Sequence, residues 1–392
     1  MSFVWAADTG QGVPLSDTPA AVQKTIAAQL GGSKVDTIDK ITDDDGTSYA
    51  VELVTTDGQG KFLTIAESGA LESIELNLAE TPDPVQKTIK AQLGANQLEG
   101  IDKTIDELVV KYAVQLTAKD GQSRSMIIDP NGTLESIQMF PGEVPGAVQA
   151  AIKAQLGPDK LASIDKTFDA EEVAYEITST TPFGHERDFT LAADGTLQSV
   201  DLALIETPPV VQAAIKAQLG RGKWSSIQKT INPDGTSYSV EMETVDGQAR
   251  NFTIGAVGQL INLEVGLSET PAAVQATIAK EAGQSKVESI DKNPEIDGNT
   301  YDVTTKSAAG REWDFTVAEN GTVLTREVLM ENIPAPAQKT IREQIGTGHI
   351  IRIDRSSERE SGVLPFVVQG RKNGAPFNFS VGPAGRFLGM DP

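Results

Sequence analysis

The chain lacks cysteine altogether, so neither disulfides nor thiol chemistry are open to it. A large stack of small units can bury enough surface without covalent staples, and the absence therefore fits either side of a membrane. Histidine is nearly as scarce, with only His185 and His349. A Ser-His-Asp triad or a His-based metal site would need neighbours that the sequence does not show, so both read as surface residues. No hydrophobic run approaches the roughly 20 residues of a membrane-spanning helix. Basic charge is in the minority, 33 Lys and Arg against 55 Asp and Glu, for a net charge of −22. Phosphate backbones and anionic bilayers need a basic footprint. Nucleic acid and membrane insertion are therefore set aside, and a protein partner or cation association is left.

What is present is repetition. The stretch Glu206 to Gly220 opens on Thr-Pro and returns at intervals of 63 residues, its leading proline recurring at Pro19, Pro82, Pro145, Pro271 and Pro334. All five tyrosines, Tyr49, Tyr112, Tyr175, Tyr238 and Tyr301, keep the same interval. Self-similarity at a fixed period overrides a domain count taken from length. The chain divides into an N-terminal segment (1–15) and repeats 16–78, 79–141, 142–204, 205–267, 268–330 and 331–392.

Within repeat 1, Thr18 suits a helix N-cap and Pro19 the first helical position. Val22, Ile26 and Leu30 line one face of a short helix that Gly31 stops. Four strand signals follow, around Ile38, then Tyr49 to Leu53, then Leu63 and Ile65, then Leu71 to Leu78. Asp45-Gly46 and Asp57-Gly58 mark hairpins, hence antiparallel pairing. Apolar spacing changes from three to two after Leu71, which points to a bulge in the last strand. The expected fold is α+β: six tandem αββββ repeats of 63 residues, each with one helix on an antiparallel sheet, in an elongated or curved array. Residues 331–392 depart from the pattern, slipping by one residue between Arg355 and Ser361 and curtailing the fourth strand.

Residues 225–267 show the motifs most plainly: Ser226-Ile227-Gln228-Lys229, Tyr238-Ser239-Val240, Asp246-Gly247, Phe252-Thr253-Ile254 and Gly258-Gln259-Leu260. This pattern resembles PepSY-like domains and the related αβ repeats of β-lactamase inhibitory proteins, across residues 16–392. The resemblance implies an extracytoplasmic (periplasmic, cell-surface or secreted), non-enzymatic module, an inhibitor or regulator of a peptidase or other enzyme, or an envelope binding protein. It carries no catalytic residues over. Six copies exceed the tandem pair of those inhibitors, so a structural envelope or matrix protein that self-assembles end to end stands as the alternative.

No catalytic, cofactor or metal residue is assigned. Asp39, Asp102, Asp165, Asp291 and Asp354 recur with a following Lys or Arg, which reads as alternating charge on an exposed strand face. Asp43-Asp44-Asp45-Gly46 lacks the spaced oxygens and late glutamate of an EF-hand; turn chemistry accounts for it, as for Asp234-Gly235 and Asp297-Gly298. Exposed residues that break the repeat are the candidates for partner binding. Trp224 stands in an otherwise apolar column (Val35, Leu98, Leu161, Val287), where core packing competes with partner contact, and is flanked by Arg221 and Lys223. His185 belongs to an unusual Pro-Phe-Gly-His turn. Residues 331–392 carry eight Lys and Arg, Arg352, Arg355 and Arg359 among them, against six Asp and Glu. That leaves −24 on the rest of the chain, and the opposition suggests head-to-tail self-association through the N-terminal segment and residues 331–392.

Overall fold

The computed structural model describes residues 11–390 apart from 44–45, 107–108, 120, 170–171, 234, 309, 358–361 and 373–374. It comprises two compact units, residues 1–144 with 163–169, and residues 145–162 with 170–392. The first unit holds helices α1 (Ala20–Gln29) and α2 (Asp83–Leu93). The second holds α3 (Gly146–Leu156), α4 (Pro209–Leu219), α5 (Ala272–Ala282) and α6 (Ala335–Ile345). No helix among the described residues is long and apolar enough to cross a membrane.

The architecture is α+β with antiparallel pairing. After α1 come Lys34–Asp43, Gly46–Val54, Gly60–Ala66 and Leu71–Glu75, each antiparallel to the one before. Leu71–Glu75 then pairs with Gln97–Asp106, the first strand after α2. The second unit repeats the arrangement: Leu260–Glu264 pairs with Lys286–Glu295 after α5, and Val323–Glu327 with His349–Ser356 after α6. Each helix with its strands is called a block below, and each place where one block's last strand meets the next block's first strand is a junction.

Alternation decides which face meets the helix. In Gly46–Val54, Tyr49, Val51 and Leu53 are buried and form one core with Val22 and Ile26 of α1. Burying side chains of that size contributes about 1.5–3 kcal/mol each, which a three-turn helix needs because it is marginal alone. The same set around α4 is Val211, Ile215, Tyr238, Val240, Phe252 and Ile254. The intervening residues Ser239, Glu241, Asn251 and Thr253 therefore face away from α4.

The bulge expected in the fourth strand is present. Thr64 pairs with Ser73 but Ile65 with Leu71, so Glu72 is the extra residue. A second bulge lies in the first strand, between Val35 and Thr37. The last hairpin is tied to the helix. Gly69 has φ +88°, and a Cβ there would lie 2.7 Å from Ala21 Cβ, so glycine is required on both counts. Thr25 Oγ1 donates to the Gly69 carbonyl at 2.6 Å, with the same bond from Thr88 to Gly132 and from Thr277 to Gly321.

One expectation is corrected. The threonines before the helices are not caps, because Pro19, Pro82, Pro208 and Pro271 occupy the N-cap. Residues 15–17, 78–80, 204–206 and 267–269 form a single 3-10 turn ahead of each helix. The hydroxyls of Thr18, Thr81, Thr207 and Thr270 close it, donating to the carbonyls of Leu15, Leu78, Leu204 and Leu267 at 2.8–2.9 Å. The N-terminal segment is also engaged within its own chain. Gln11 and Gly12 pair with Lys40 and Asp39, in the register that Ile74 and Glu75 adopt on Lys103 and Asp102.

Candidate functional site

The helix-free face of the sheet, seen most fully between Asp201 and Asp354, carries the molecule's unusual chemistry. In the α4 block a polar trough on this face is lined by Asp201, Gln228, Ser239, Glu241, Asn251 and Asp291. Register explains how its carboxylates come together. The fourth-strand position directly after the core-facing residue pairs across the junction with the aspartate column of the next block. Glu75 lies opposite Asp102, Glu264 opposite Asp291, and Glu327 opposite Asp354. At the other two junctions one partner is an amide, Gln138 opposite Asp165 and Gln228 opposite Asp201.

The aspartate column is thus not the exposed charge pattern expected, because each member is flanked on both sides by a strand. Asp354 is 7% exposed and Asp102 half-buried. Burial pushes the Asp102 carboxyl above its ordinary range. Burial does the same to Glu75, with Asp102 adding to it and the Phe62 N–H opposing. Asp291 is raised by burial, then by Glu264 and by Asp302, which lies opposite it on its other side. Asp302 accepts hydrogen bonds from Thr316 Oγ1 at 2.6 Å and Asn293 Nδ2 at 2.8 Å. Like charges set directly opposite destabilise a sheet.

The last junction is built differently. Arg352 Nε donates to both oxygens of Asp354 at 2.8 Å, and its Nη1 to Asp314 at 2.5 Å. Burial still raises the Asp354 carboxyl, against the lowering effect of Arg352. Arg352, expected as a surface cation for a partner, is held internally by this pair. Arg355 is exposed and lies opposite Arg326, which Glu281 binds. Arg359 lies outside the described residues, as do Asp44, Asp45 and Asp234.

Trp224, Arg221 and Lys223 sit at one end of the α4 block. Trp224 is 39% exposed, and the core around α4 takes in Met242 opposite it in register instead. The flexible thioether fills the space, and the indole is left outside. Arg221 lines a shallow cleft with Leu219, Met242 and Val245, and exposed Lys223 lies opposite Glu243. His185 is exposed on a different hairpin, next to Phe183 at 89% exposure.

Sequence reading missed a recurrent ion pair. A cation at the start of the third strand meets the glutamate of the turn ahead of the next helix: Lys61 with Glu80 at 2.8 Å, Arg124 with Glu143 at 2.6 Å, Arg187 with Glu206 at 3.3 Å, Arg250 with Glu269 at 2.8 Å. Arg250 and the Gly266 N–H hold the Glu269 carboxyl below its usual range. The α5 block breaks the series with Trp313, stacked under Arg311 at 4.1 Å. The 63-residue spacing of both partners was the available signal.

Two stretches of the chain, residues 5–73 and 259–325, match a family described as PepSY-like and beta-lactamase-inhibitor-like. The chain carries PepSY-like sequence. Both matched stretches open before a 3-10 turn and helix and end in the fourth strand of that block, so the PepSY-like unit takes in the junction. Among solved structures, the chain is similar to a DUF2874-family protein from Bacteroides vulgatus, provisionally described as periplasmic, at 20% identity over 33% of this chain and 98% of that one, TM-score 0.24. A BLIP-like protein from Bacteroides fragilis is 18% identical over 31% and 84%, TM-score 0.23. The YpeB C-terminal domain of Bacillus megaterium is 12% identical over 48% and 96%, TM-score 0.15. No curated protein matches the sequence significantly.

Proposed function

We propose that this chain is a non-catalytic protein that works outside the cytoplasm and binds another protein through the helix-free face of its sheet, as an inhibitor or regulator would. One observation carries the reading: half-buried carboxylates stand directly opposite each other on a face that no helix of the same block covers. Such pairs oppose folding, so their place on a face turned away from the block's own helix supports a partner there. The PepSY-like match supports the extracytoplasmic setting and the inhibitor-like role. The reading takes the chain as six 63-residue repeats, supported by helices that begin at Ala20, Asp83, Gly146, Pro209, Ala272 and Ala335. Trp224, Arg221, Lys223 and His185 would add a second contact at exposed edges.

The test is capture from the extracytoplasmic fraction of the source organism, followed by remixing the purified chain with each captured protein. A stoichiometric complex by sedimentation and calorimetry is expected. Failure of every captured protein to form one overturns the reading.

End-to-end self-association is the second reading, favoured by the +2 charge of residues 331–392 against −24 on the remainder. Because Gln11 and Gly12 are already paired with Lys40 and Asp39, association through that segment would have to displace them. Sedimentation across concentration and salt tests it: a monomer under all conditions removes it.

A further inference from the structure

The hairpin between third and fourth strands, which touches the helix of its block, carries an Asn-Gly step twice among the described residues. These are Asn131-Gly132 in the α2 block and Asn320-Gly321 in the α5 block; Asn373-Gly374 lies outside the described residues. Both asparagines are exposed, and both turns are built alike. The Gly132 N–H donates to the Asp129 carbonyl at 3.0 Å and the Gly321 N–H to the Ala318 carbonyl at 2.8 Å. The asparagine side chains differ. Asn320 Oδ1 accepts the Thr322 N–H at 2.9 Å, which pins its carboxamide. In the α2 block Asp129 Oδ1 takes that role, accepting the N–H groups of Asn131 at 2.8 Å and Thr133 at 2.7 Å. Among the described residues no hydrogen bond reaches the Asn131 carboxamide.

Glycine after asparagine matters because no side chain hinders approach to its nitrogen. A carboxamide free to turn brings Cγ onto that nitrogen whenever local opening breaks the bond to Asp129. The Gly132 nitrogen then attacks Asn131 Cγ and the Cγ–Nδ2 bond breaks. The proton lost by the Gly132 nitrogen goes to the leaving amide, which departs as ammonia, and a five-membered succinimide remains. Water reaches this exposed turn from a groove lined also by Asp83 and Lys87. It opens either succinimide carbonyl, yielding aspartate or isoaspartate.

We propose that Asn131 is a site of spontaneous deamidation whose two products have opposite consequences for α2. The aspartate product fits. Asp194 holds the same turn position in the α3 block, its Oδ1 accepting the Thr196 N–H at 2.9 Å. The isoaspartate product does not fit, because it routes the main chain through Cβ and Cγ and lengthens it by a carbon just ahead of Gly132. That glycine has no room to shift: a Cβ built on it lies 2.6 Å from the Pro84 carbonyl oxygen, and its own carbonyl accepts Thr88 Oγ1 at 2.5 Å. Isoaspartate at residue 131 therefore releases the hairpin from α2.

The test holds the full chain at pH 8 and physiological temperature and samples it over days by peptide mapping, with protein-isoaspartate methyltransferase marking isoaspartate. Conversion is expected first at Asn131, several-fold faster than at Asn320. In urea the two rates should draw level, since the difference comes from hydrogen bonds of the folded turns. Hydrogen exchange of residues 83–93 should be faster in the isoaspartate fraction separated by ion exchange, whereas Asn131→Asp should exchange like the wild type. Asn131→Gln, whose longer side chain would have to close a larger ring, should stay unconverted at that position. Equal conversion of Asn131 and Asn320 in the folded chain, or a difference that persists in urea, overturns the assignment of the site. Unchanged exchange of α2 in the isoaspartate fraction overturns its consequence.

Discussion

The junction at Asp354 and the junction at Asp291 share strand order, bulge and register, yet one holds an arginine and the other a serine. With Arg352 in place, the carboxylates of Asp314 and Asp354 form a bonded network that the fold itself completes. With Ser289, Glu264, Asp291 and Asp302 are brought together, and among the described residues no ion pair reaches them. The same backbone thus makes a structural ion cluster in one place and an unneutralised anionic site in the other. Three positions differ between them: Arg352 against Ser289, Asp314 against Asn251, and Val367 against Asp302.

Four measurements sharpen or break that comparison. The scale is set by the core between the two kinds of junction: Tyr238→Ala, truncating a residue 4% exposed, should cost about 3–5 kcal/mol in urea denaturation. Arg352→Ala should cost about 3 kcal/mol, because Asp354 is left buried beside Asp314 without its cation. A loss below about 1 kcal/mol would show that the cluster behaves as a surface pair, and the contrast with Ser289 would lose its basis.

Asp291→Asn should act in the opposite direction, stabilising the chain by about 1 kcal/mol at pH 7 through relief of like-charge opposition. That gain should shrink as pH falls. Burial and Glu264 raise the Asp291 carboxyl in the folded state, so between its folded and unfolded values the native chain binds the proton more tightly. Wild-type stability at this site therefore rises as pH drops through that window, from the raised value towards about 3.9. Glu269 works the other way, since its folded value is depressed: its contribution is present above about 4.3 and lost as pH falls through the folded value. Denaturation of wild type and Asp291→Asn from pH 4 to 7 reads the difference directly; a gain that does not change with pH would mean Asp291 is not the titrating member. The smallest effect is Thr207→Ala, about 1 kcal/mol, for loss of the buried bond to the Leu204 carbonyl; an unchanged midpoint would show that the turn holds without it.

Most of the fold was legible in the sequence. Tyr49, Val51 and Leu53 alternate, and the structure buries all three. The spacing of Leu71 and Ile74 announced the bulge at Glu72. These features are local: a side-chain period or a turn residue acts within a few positions of itself, so its meaning does not depend on distant partners. The caps were misread because Thr-Pro is ambiguous until the preceding 3-10 turn is seen to offer Thr18 a carbonyl.

The candidate site was legible only in parts. Both columns, Glu75 to Glu327 and Asp39 to Asp354, stand in the sequence at regular spacing, but their meeting depends on which strands become neighbours and in what register. Trp224 was an ambiguous residue whose exposure followed from Met242 taking the core space. Composition and periodicity by themselves determined the α+β blocks, their helices and hairpins, and the excess of negative charge, because each is set by chain-local sterics or by counting. Tertiary structure alone decided that Asp291 faces Glu264 and Asp302 across two strands and that Arg352 bonds Asp314 from 38 residues away, because hydrogen-bonded register couples positions that the sequence keeps apart.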